Sequence, residues 1–348
     1  MSGLRKTVTH SGRIAQRCLY GENPWQSPAG LYRGRGRSLI AVRNYVLVEG
    51  TPMSYNNIVD LDRMLYTMTH AIAGLRAHGA EVHVALAGKH GNCAGGAYRT
   101  HAYSEFERCV LGDPIATDLG SVVLASDYVD EGQAELLVRK GGRDTRKFDV
   151  MAAQGFSLSA VEVFRRKAGK CRVLQHIRAA SLGDWQVPKG RRIRYLMDGD
   201  FLVQPEYSFV LDLNAPYVVC EQRVRRELEL DLVFAWAIGS TSNSNTITLV
   251  KDGKLIANAV GQQDRLLAAT LAELRASRAK HAIRGAVAYS DSFFPFDDGP
   301  KVLIDAGVQA ILTSSGSVRD KDTIAACKAA GVALYMVPDK LCRGFFGH

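Results

Sequence analysis

Apolar residues recur at Ile58, Leu61, Leu65, Met68, Ile72 and Leu75, spaced 3, 4, 3, 4 and 3 positions apart, which puts them on one face of a helix. Asn57 stands where a cap belongs and Gly79 where the helix should stop. The next apolar run, Val82 to Ala87, lacks that period and reads as a buried strand. It leads into Lys89, His90, Gly91, Asn92, Cys93, Ala94, Gly95 and Gly96, a glycine-rich loop, ahead of a helix predicted over about Thr100 to Val110. A strand, a loop of small residues and a helix in that order is how parallel α/β sheets hold ligands at strand ends.

The alternation continues with strands over Gly120 to Ser126 and Arg172 to Gln175 around a capped helix over Ser157 to Lys167, a pattern of parallel α/β layers. Between about His176 and Arg226 periodicity weakens among Pro and Arg residues, and a connecting region is expected there. Beyond it Leu228 to Ile238 reads as a helix. Asp252-Gly253, set between the runs Thr246 to Val250 and Leu255 to Ala257, is a hairpin signal. A strand over Gly285 to Tyr289, a loop over Ser290 to Pro300, a helix, a strand over Ala310 to Leu312, a helix from Asp320 and a strand over Val332 to Val337 complete the chain. The order of elements repeats, so a divergent duplication is expected, with halves over 1–176 and 228–348 and a connector over 177–227.

The 348 residues suffice for two core-bearing units, and 47% hydrophobic with 23% charged residues excludes a disordered or fibrous chain. Against 35 Asp and Glu stand 44 Lys and Arg, a net charge of +9 that favours anionic partners: phosphates, polycarboxylates or nucleic acid. The seven cysteines include no pair closer than 15 residues, which argues against a disulfide framework, and no Cys or His spacing fits a zinc site. The N-terminal residues are polar, and no apolar run approaches the roughly eighteen residues of a membrane span. The expectation is a soluble protein of a reducing compartment, the cytoplasm, without membrane partners.

At the end of a buried strand, His90 has the chemistry of a general base near neutral pH and Lys89 that of a donor to developing negative charge. Alone, the same dipeptide reads more readily as a solvated Lys beside a hydrogen-bonded His. Its company changes that balance. Tyr20 to Gln26 (YGENPWQ), Ser54 to Asp62 (SYNNIVDLD), Lys89-His90, Ser244-Asn245, Gly261 to Arg265 (GQQDR) and Ser290 to Phe296 (SDSFFPF) follow one another in this order. Together they resemble the transformylase domain of the bifunctional purine-synthesis family that formylates 5-aminoimidazole-4-carboxamide ribonucleotide (AICAR) with 10-formyltetrahydrofolate. The resemblance runs from about Leu19 to the terminal Arg343-Gly344-Phe345.

The resemblance implies a fold of two tandem cytidine-deaminase-like α/β/α units without zinc, and a homodimer with active sites shared between subunits. It implies Lys89, His90 and Asn245 as catalytic residues. Tyr20, Gly120, Asp149, Arg265, Phe293 and Arg343 would bind the amine substrate, and Phe294, Pro295, Phe296, Asp298 and Ser317 the folate cosubstrate; no metal is implied. The family's additional cyclohydrolase domain, and its ring-closing activity, are not expected from this chain.

Several positions depart from the family pattern. Leu19 replaces an Arg that helps bind the nucleotide and its phosphate, and Ala168 replaces a phosphate-site Lys, for which Lys167 stands in only after a one-residue shift. Cys93 replaces a Pro after the Lys-His motif, Asp113 to Gly120 loses a Phe and gains a residue, Ser240 replaces a Lys, and Trp25 a His. Folate-facing and catalytic types are retained while nucleotide-facing ones drift. The expectation is folate-dependent formyl transfer to an AICAR-like amino-carboxamide, the acceptor altered or unphosphorylated. A stand-alone AICAR transformylase is the alternative, and an inactive nucleic-acid-binding or regulatory homologue the second.

Overall fold

The computed structural model describes residues 9, 11–34, 36, 38–99, 105–141, 144–176 and 185–347. The described chain opens with a hairpin, β1 (Arg13–Cys18) and β2 (Ala29–Arg33), followed by strand β3 (Tyr45–Glu49). Helix α1 (Tyr55–Ala77) starts in a reciprocal capping box: Ser54 Oγ accepts from the Asn57 amide while Asn57 Oδ1 accepts from the Ser54 amide. The cap is therefore Ser54, with Asn57 its partner one turn in, which corrects the expectation placed on Asn57. At the far end Gly79, at φ 69°, donates to Arg76 O while Ala80 donates to Leu75 O, closing the helix in a Schellman motif.

Strands β4 (His83–Lys89) and β5 (Asn92–Arg99) form an antiparallel hairpin. This corrects the strand, loop and helix expected here: Asn92 to Gly96 are strand, not loop. Gly95 and Gly96 serve packing, because a side chain at Gly95 would run into the Cys109 carbonyl and one at Gly96 would meet Leu86 and Phe234. The helix predicted from Thr100 is observed as α2 (Glu105–Val110), and residues 100–104 lie outside those described.

The first half continues through α3 (Pro114–Thr117), β6 (Val122–Ala125), β7 (Tyr128–Val129), α4 (Glu131–Val138), β8 (Arg139–Gly141) and β9 (Asp144–Thr145). It ends in β10 (Val150–Ala153), β11 (Gly155–Phe156), α5 (Leu158–Phe164) and β12 (Arg172–His176). The connector is not featureless: β13 (Arg191–Tyr195) and β14 (Phe201–Pro205) pair there as a hairpin outside the main sheet, as β1–β2 and β8–β9 do. The second half holds α6 (Arg226–Gly239), β15 (Ile247–Lys251), β16 (Lys254–Ala259), α7 (Arg265–Arg278) and β17 (Val287–Ser290). It closes with α8 (Asp298–Asp305), β18 (Ala310–Ser315), α9 (Asp320–Ala329), β19 (Ala333–Pro338) and α10 (Asp339–Cys342).

The long strands form one 11-stranded sheet, ordered β19-β18-β17-β15-β16-β5-β4-β6-β10-β12-β3. Each half follows the same plan: a hairpin, a third strand antiparallel to the hairpin's first, then two further strands in parallel. The sheet is thus mixed, and the purely parallel layering expected above is replaced by antiparallel hairpins at its centre. The halves meet where Ala97 of β5 pairs with Lys254 of β16.

Alternation along the strands gives the sheet two buried faces. Val84, Leu86 and Leu124 pack with the apolar face of α1 and with α6. Ala85, Ala87 and Val123 turn the other way, towards α2, α4 and α5, and Ile247, Leu249 and Ala288 turn towards α7, α8 and α9. No described helix is long and apolar enough to cross a membrane.

Candidate active site

A two-residue turn between antiparallel strands requires left-handed backbone at both of its positions, and here His90 (φ 53°) and Gly91 (φ 71°) supply it. The turn carries Lys89, half-buried, and His90, exposed, to the rim of the sheet. Lys89 Nζ donates to Leu119 O at 2.9 Å, which fixes the ammonium group with two N–H donors to spare. Leu119 precedes Gly120 (φ 74°), where an added Cβ would lie 3.9 Å from Asp149 Oδ2. Lys89, Gly120 and Asp149 are therefore brought together.

Helix α1 grips this turn from beneath. Asp60 Oδ1 accepts from the Gly91 amide at 2.6 Å, and Arg63 Nε donates to Gly91 O at 2.9 Å. Burial raises the Asp60 carboxyl above its usual range, a rise opposed by the Gly91 N–H and by the charges of His90 and Arg63. Asp60 lies within the Ser54 to Asp62 motif and Arg63 directly after it, and the resemblance implies a role for neither. Their signal is two charged residues three apart on an otherwise core-facing helix.

Asn245 lies on the second half's side of the joint, after a cis Ser244–Asn245 peptide. Its amide and Nδ2 donate to Gln262 O at 3.0 and 2.9 Å, and its Oδ1 accepts from Arg265 Nη2 at 2.7 Å. Arg265 is the first residue of α7, whose cap Asp264 accepts from the Leu267 amide. Its guanidinium is buried and pairs with Asp291, whose side chain is fully buried. Asp291 lies in the Ser290 to Phe296 motif, where the resemblance implies no role for it, and its partnership with Arg265 spans 26 residues, beyond any local pattern. Phe294 is buried beside this pair against Gly299, where an added Cβ would lie 2.9 Å from its ring.

The two groups adjoin. Asn92, at the base of the Lys89–His90 turn, accepts through Oδ1 from the Asn243 amide at 3.2 Å, two residues before Asn245.

The remaining sequence-predicted residues sit further out. Arg343 is held by Asp339, with Nε to Oδ1 at 3.0 Å and Nη2 to Oδ2 at 2.8 Å, and its guanidinium faces the Phe293 ring at 5.4 Å. Asp298 is exposed at the start of α8, with Asp297 preceding it as the cap. Pro295 and Phe296 are exposed in the same loop, and Arg319 lies over the Phe296 ring at 5.0 Å. Ser317 is half-buried before α9, its amide donating to Asp320 at 3.2 Å. Tyr20 stands apart in the β1–β2 loop, which Asn56 tethers to the head of α1 through Glu22 O. Among the described residues no three His, Cys, Asp or Glu side chains are grouped to hold a metal ion.

Two cavities are lined by none of Lys89, His90, Asn245, Arg265 or Asp298. One of about 560 Å³ is lined by Arg146, Lys147, Arg166, Lys167, Ala168 and Lys170 among others. The other, of about 440 Å³, lies between the β1–β2 hairpin and α1 and reaches Asp62, Arg63 and Phe346.

Fold and site define a mixed α/β protein that sets a Lys-His turn from one half of its sheet against an Asn-Arg-Asp cluster from the other. The profile of the AICARFT/IMPCHase bienzyme family matches residues 2–275, and the chain belongs to that family. It is similar to the bifunctional purine biosynthesis protein PurH of Deinococcus radiodurans, 34% identical over 315 residues that make up 90% of this chain and 57% of that protein. It is also similar to PurH of Xanthomonas oryzae pv. oryzae, 30% identical over 316 residues, 90% of this chain and 55% of the relative. The chain spans about half the length of the curated relatives it matches.

Proposed function

We propose that this protein transfers the formyl group of 10-formyltetrahydrofolate to the amine of an AICAR-like amino-carboxamide. The observation that carries this reading is the hydrogen-bonded joint of Asn92 and Asn243, which sets Lys89 and His90 beside Asn245 and Arg265. An amine conjugated with a heteroaromatic ring is a poor nucleophile, so it must be oriented and deprotonated as it attacks. Asn245 and Arg265 orient the amino-carboxamide edge, and His90 takes the amine proton. As the C–N bond forms, Lys89 holds the oxyanion of the tetrahedral intermediate. The intermediate collapses by breaking the bond to N10 of the folate, which takes the proton held by His90 and leaves as the neutral N–H amine of tetrahydrofolate. Asp298 and the exposed Pro295 and Phe296 receive the folate, with Ser317 at the edge of that loop cluster. Phe294, buried in the fold, contributes backbone and shape in place of its ring.

An altered, unphosphorylated acceptor fits the outer groups. Leu19, at 85% exposure, offers no charge where the family pattern has Arg. Arg343 is already neutralised by its two contacts with Asp339. The second reading, AICAR itself, is favoured by the basic cavity beside Ala168, where Lys147, Lys167 and Lys170 would meet a phosphate.

The repeated strand plan supports two cytidine-deaminase-like units over 1–176 and 228–348 joined by the segment 177–227. Two hairpins outside the main sheet support a homodimer with shared sites. They expose Leu19, Trp25 and Tyr32 on one arm and Tyr195, Met197 and Leu202 on the other, apolar surface that a second copy would cover.

The test is release of tetrahydrofolate with AICAR, its dephosphorylated riboside and the free base as acceptors. The altered-acceptor reading expects kcat/KM for the riboside within about tenfold of that for AICAR, whereas a working phosphate subsite makes AICAR better by about a thousandfold. No transfer to any of the three, together with tight, salt-dependent RNA binding, overturns the enzyme reading.

A further inference from the structure

Arg63 touches both halves of the site. Its Nε donates to Gly91 O at 2.9 Å, and its Nη2 donates to Thr241 O at 3.2 Å and Asn243 Oδ1 at 3.3 Å. The first partner lies in the Lys89–His90 turn; the other two lie in the segment that leads to Asn245. The guanidinium is 5% exposed and packs on the ring of Phe346. That ring belongs to a terminal segment bound to the same region, with the Phe346 amide donating to Ser242 O at 2.8 Å and the Ser244 amide to Gly347 O at 3.0 Å.

A buried cation that donates to three acceptors on two separate segments fixes their relative position, because losing any one contact leaves a buried polar group unsatisfied. A planar guanidinium with several donors at set angles is suited to this, and a lysine ammonium is not. Asp60 completes the grip, holding the Gly91 amide while Arg63 holds the Gly91 carbonyl. The residue on which the turn pivots is thus held at its N–H and its carbonyl by one helix.

We infer that Arg63 is a positioning residue, coupling the Lys89–His90 turn to the Asn243–Asn245 segment so that base, oxyanion donor and substrate-orienting amide stay in register. Its catalytic consequence rests on the formyl-transfer reading; the coupling itself does not.

The experiment pairs amide hydrogen exchange at Gly91 and Asn243 with formyl-transfer kinetics in wild type, Arg63→Ala and Arg63→Lys. Exchange at both amides accelerates together, by about tenfold or more, in Arg63→Ala. The same variant loses about 100-fold in kcat while KM for the folate changes less than about threefold, and Arg63→Lys recovers only a minor part of kcat. Exchange that is unchanged, or that rises at one amide alone, overturns the coupling. A kcat within about twofold of an active wild type overturns the positioning role. A wild type that forms no product removes the formyl-transfer reading, and the exchange data still decide the coupling. Should Arg63→Ala not fold, Arg63→Lys and Arg63→Gln carry the same two readouts.

Discussion

Asn92 accepts a hydrogen bond from the Asn243 amide at 3.2 Å, and the same side chain donates through Nδ2 to His90 O at 3.1 Å. One amide side chain therefore spans the joint between the two halves of the sheet and braces the turn that carries the proposed base. Replacing it with Ala removes one part-buried and one exposed hydrogen bond, at a cost of about 0.5 to 1.5 kcal/mol. The expected outcome for Asn92→Ala is a lower urea midpoint and a kcat reduced by about tenfold or more, since the turn and the Asn245 segment drift relative to one another. Unchanged kcat in a folded Asn92→Ala variant would show that the joint does not set the catalytic geometry.

His90 occupies left-handed backbone, φ 53°, a conformation that costs most side chains about 1 to 2 kcal/mol and that Asn tolerates better. Asn at this position keeps the turn and removes the imidazole. His90→Asn is expected to be at least as stable as wild type and to lose at least about 100-fold in formyl-transfer kcat, with folate binding by fluorescence titration intact. Stability and turnover falling in proportion would make His90 a structural residue only.

The parts of this architecture visible in the sequence are those fixed by local rules. The periodic face of Ile58 to Leu75, the Asp252-Gly253 turn and the strands of the second half each carry their own signal within a few residues. Strand β5 does not, because its glycines are set by Cys109 and Phe234 on neighbouring elements and read locally as loop. The hairpin of Arg191 to Pro205 escapes for the opposite reason. Its residues stay largely solvated, so no buried face imposes a period of two. In the site, Lys89 and His90 stand out as a pair at a strand end. The grip of Arg63 on residues 178 and 180 positions away leaves no trace in spacing.

Arg265 and Asp291 form a buried pair with side-chain exposures of 8% and 0%. Arg265 also holds Asn245 Oδ1, so the pair serves stability and orientation together. Removing the carboxylate strands a buried guanidinium, for which losses of about 3 to 5 kcal/mol are typical. Asp291→Ala is expected to unfold at markedly lower denaturant, measured by circular dichroism. Arg265→Lys is expected to fold but to raise KM for the amine, because one ammonium replaces a fork that reaches Asp291 and Asn245 at once. A KM within about twofold of wild type would detach Asn245 from substrate orientation.

Asp231 of α6 sits under the seam of the two halves, its Oδ1 accepting from Tyr98 Oη and from the Gly253 amide, both at 2.8 Å. Burial pushes the carboxyl from 3.8 up to about 6, outweighing the two hydrogen bonds that favour its charged form. The sign follows from proton uptake: the folded state holds the proton over a range where the unfolded chain has released it. This contribution to stability is complete below the unfolded value of 3.8, shrinks as pH rises through about 6, and is absent above it. The displacement corresponds to about 3 kcal/mol. Asp231→Asn cannot ionise, so the stability of wild type relative to this variant should fall by about that amount between about pH 4 and pH 8, followed by urea denaturation at each pH. A difference that stays flat across the range would mean that Asp231 keeps an ordinary carboxylate pKa and that the seam is more hydrated than its burial indicates.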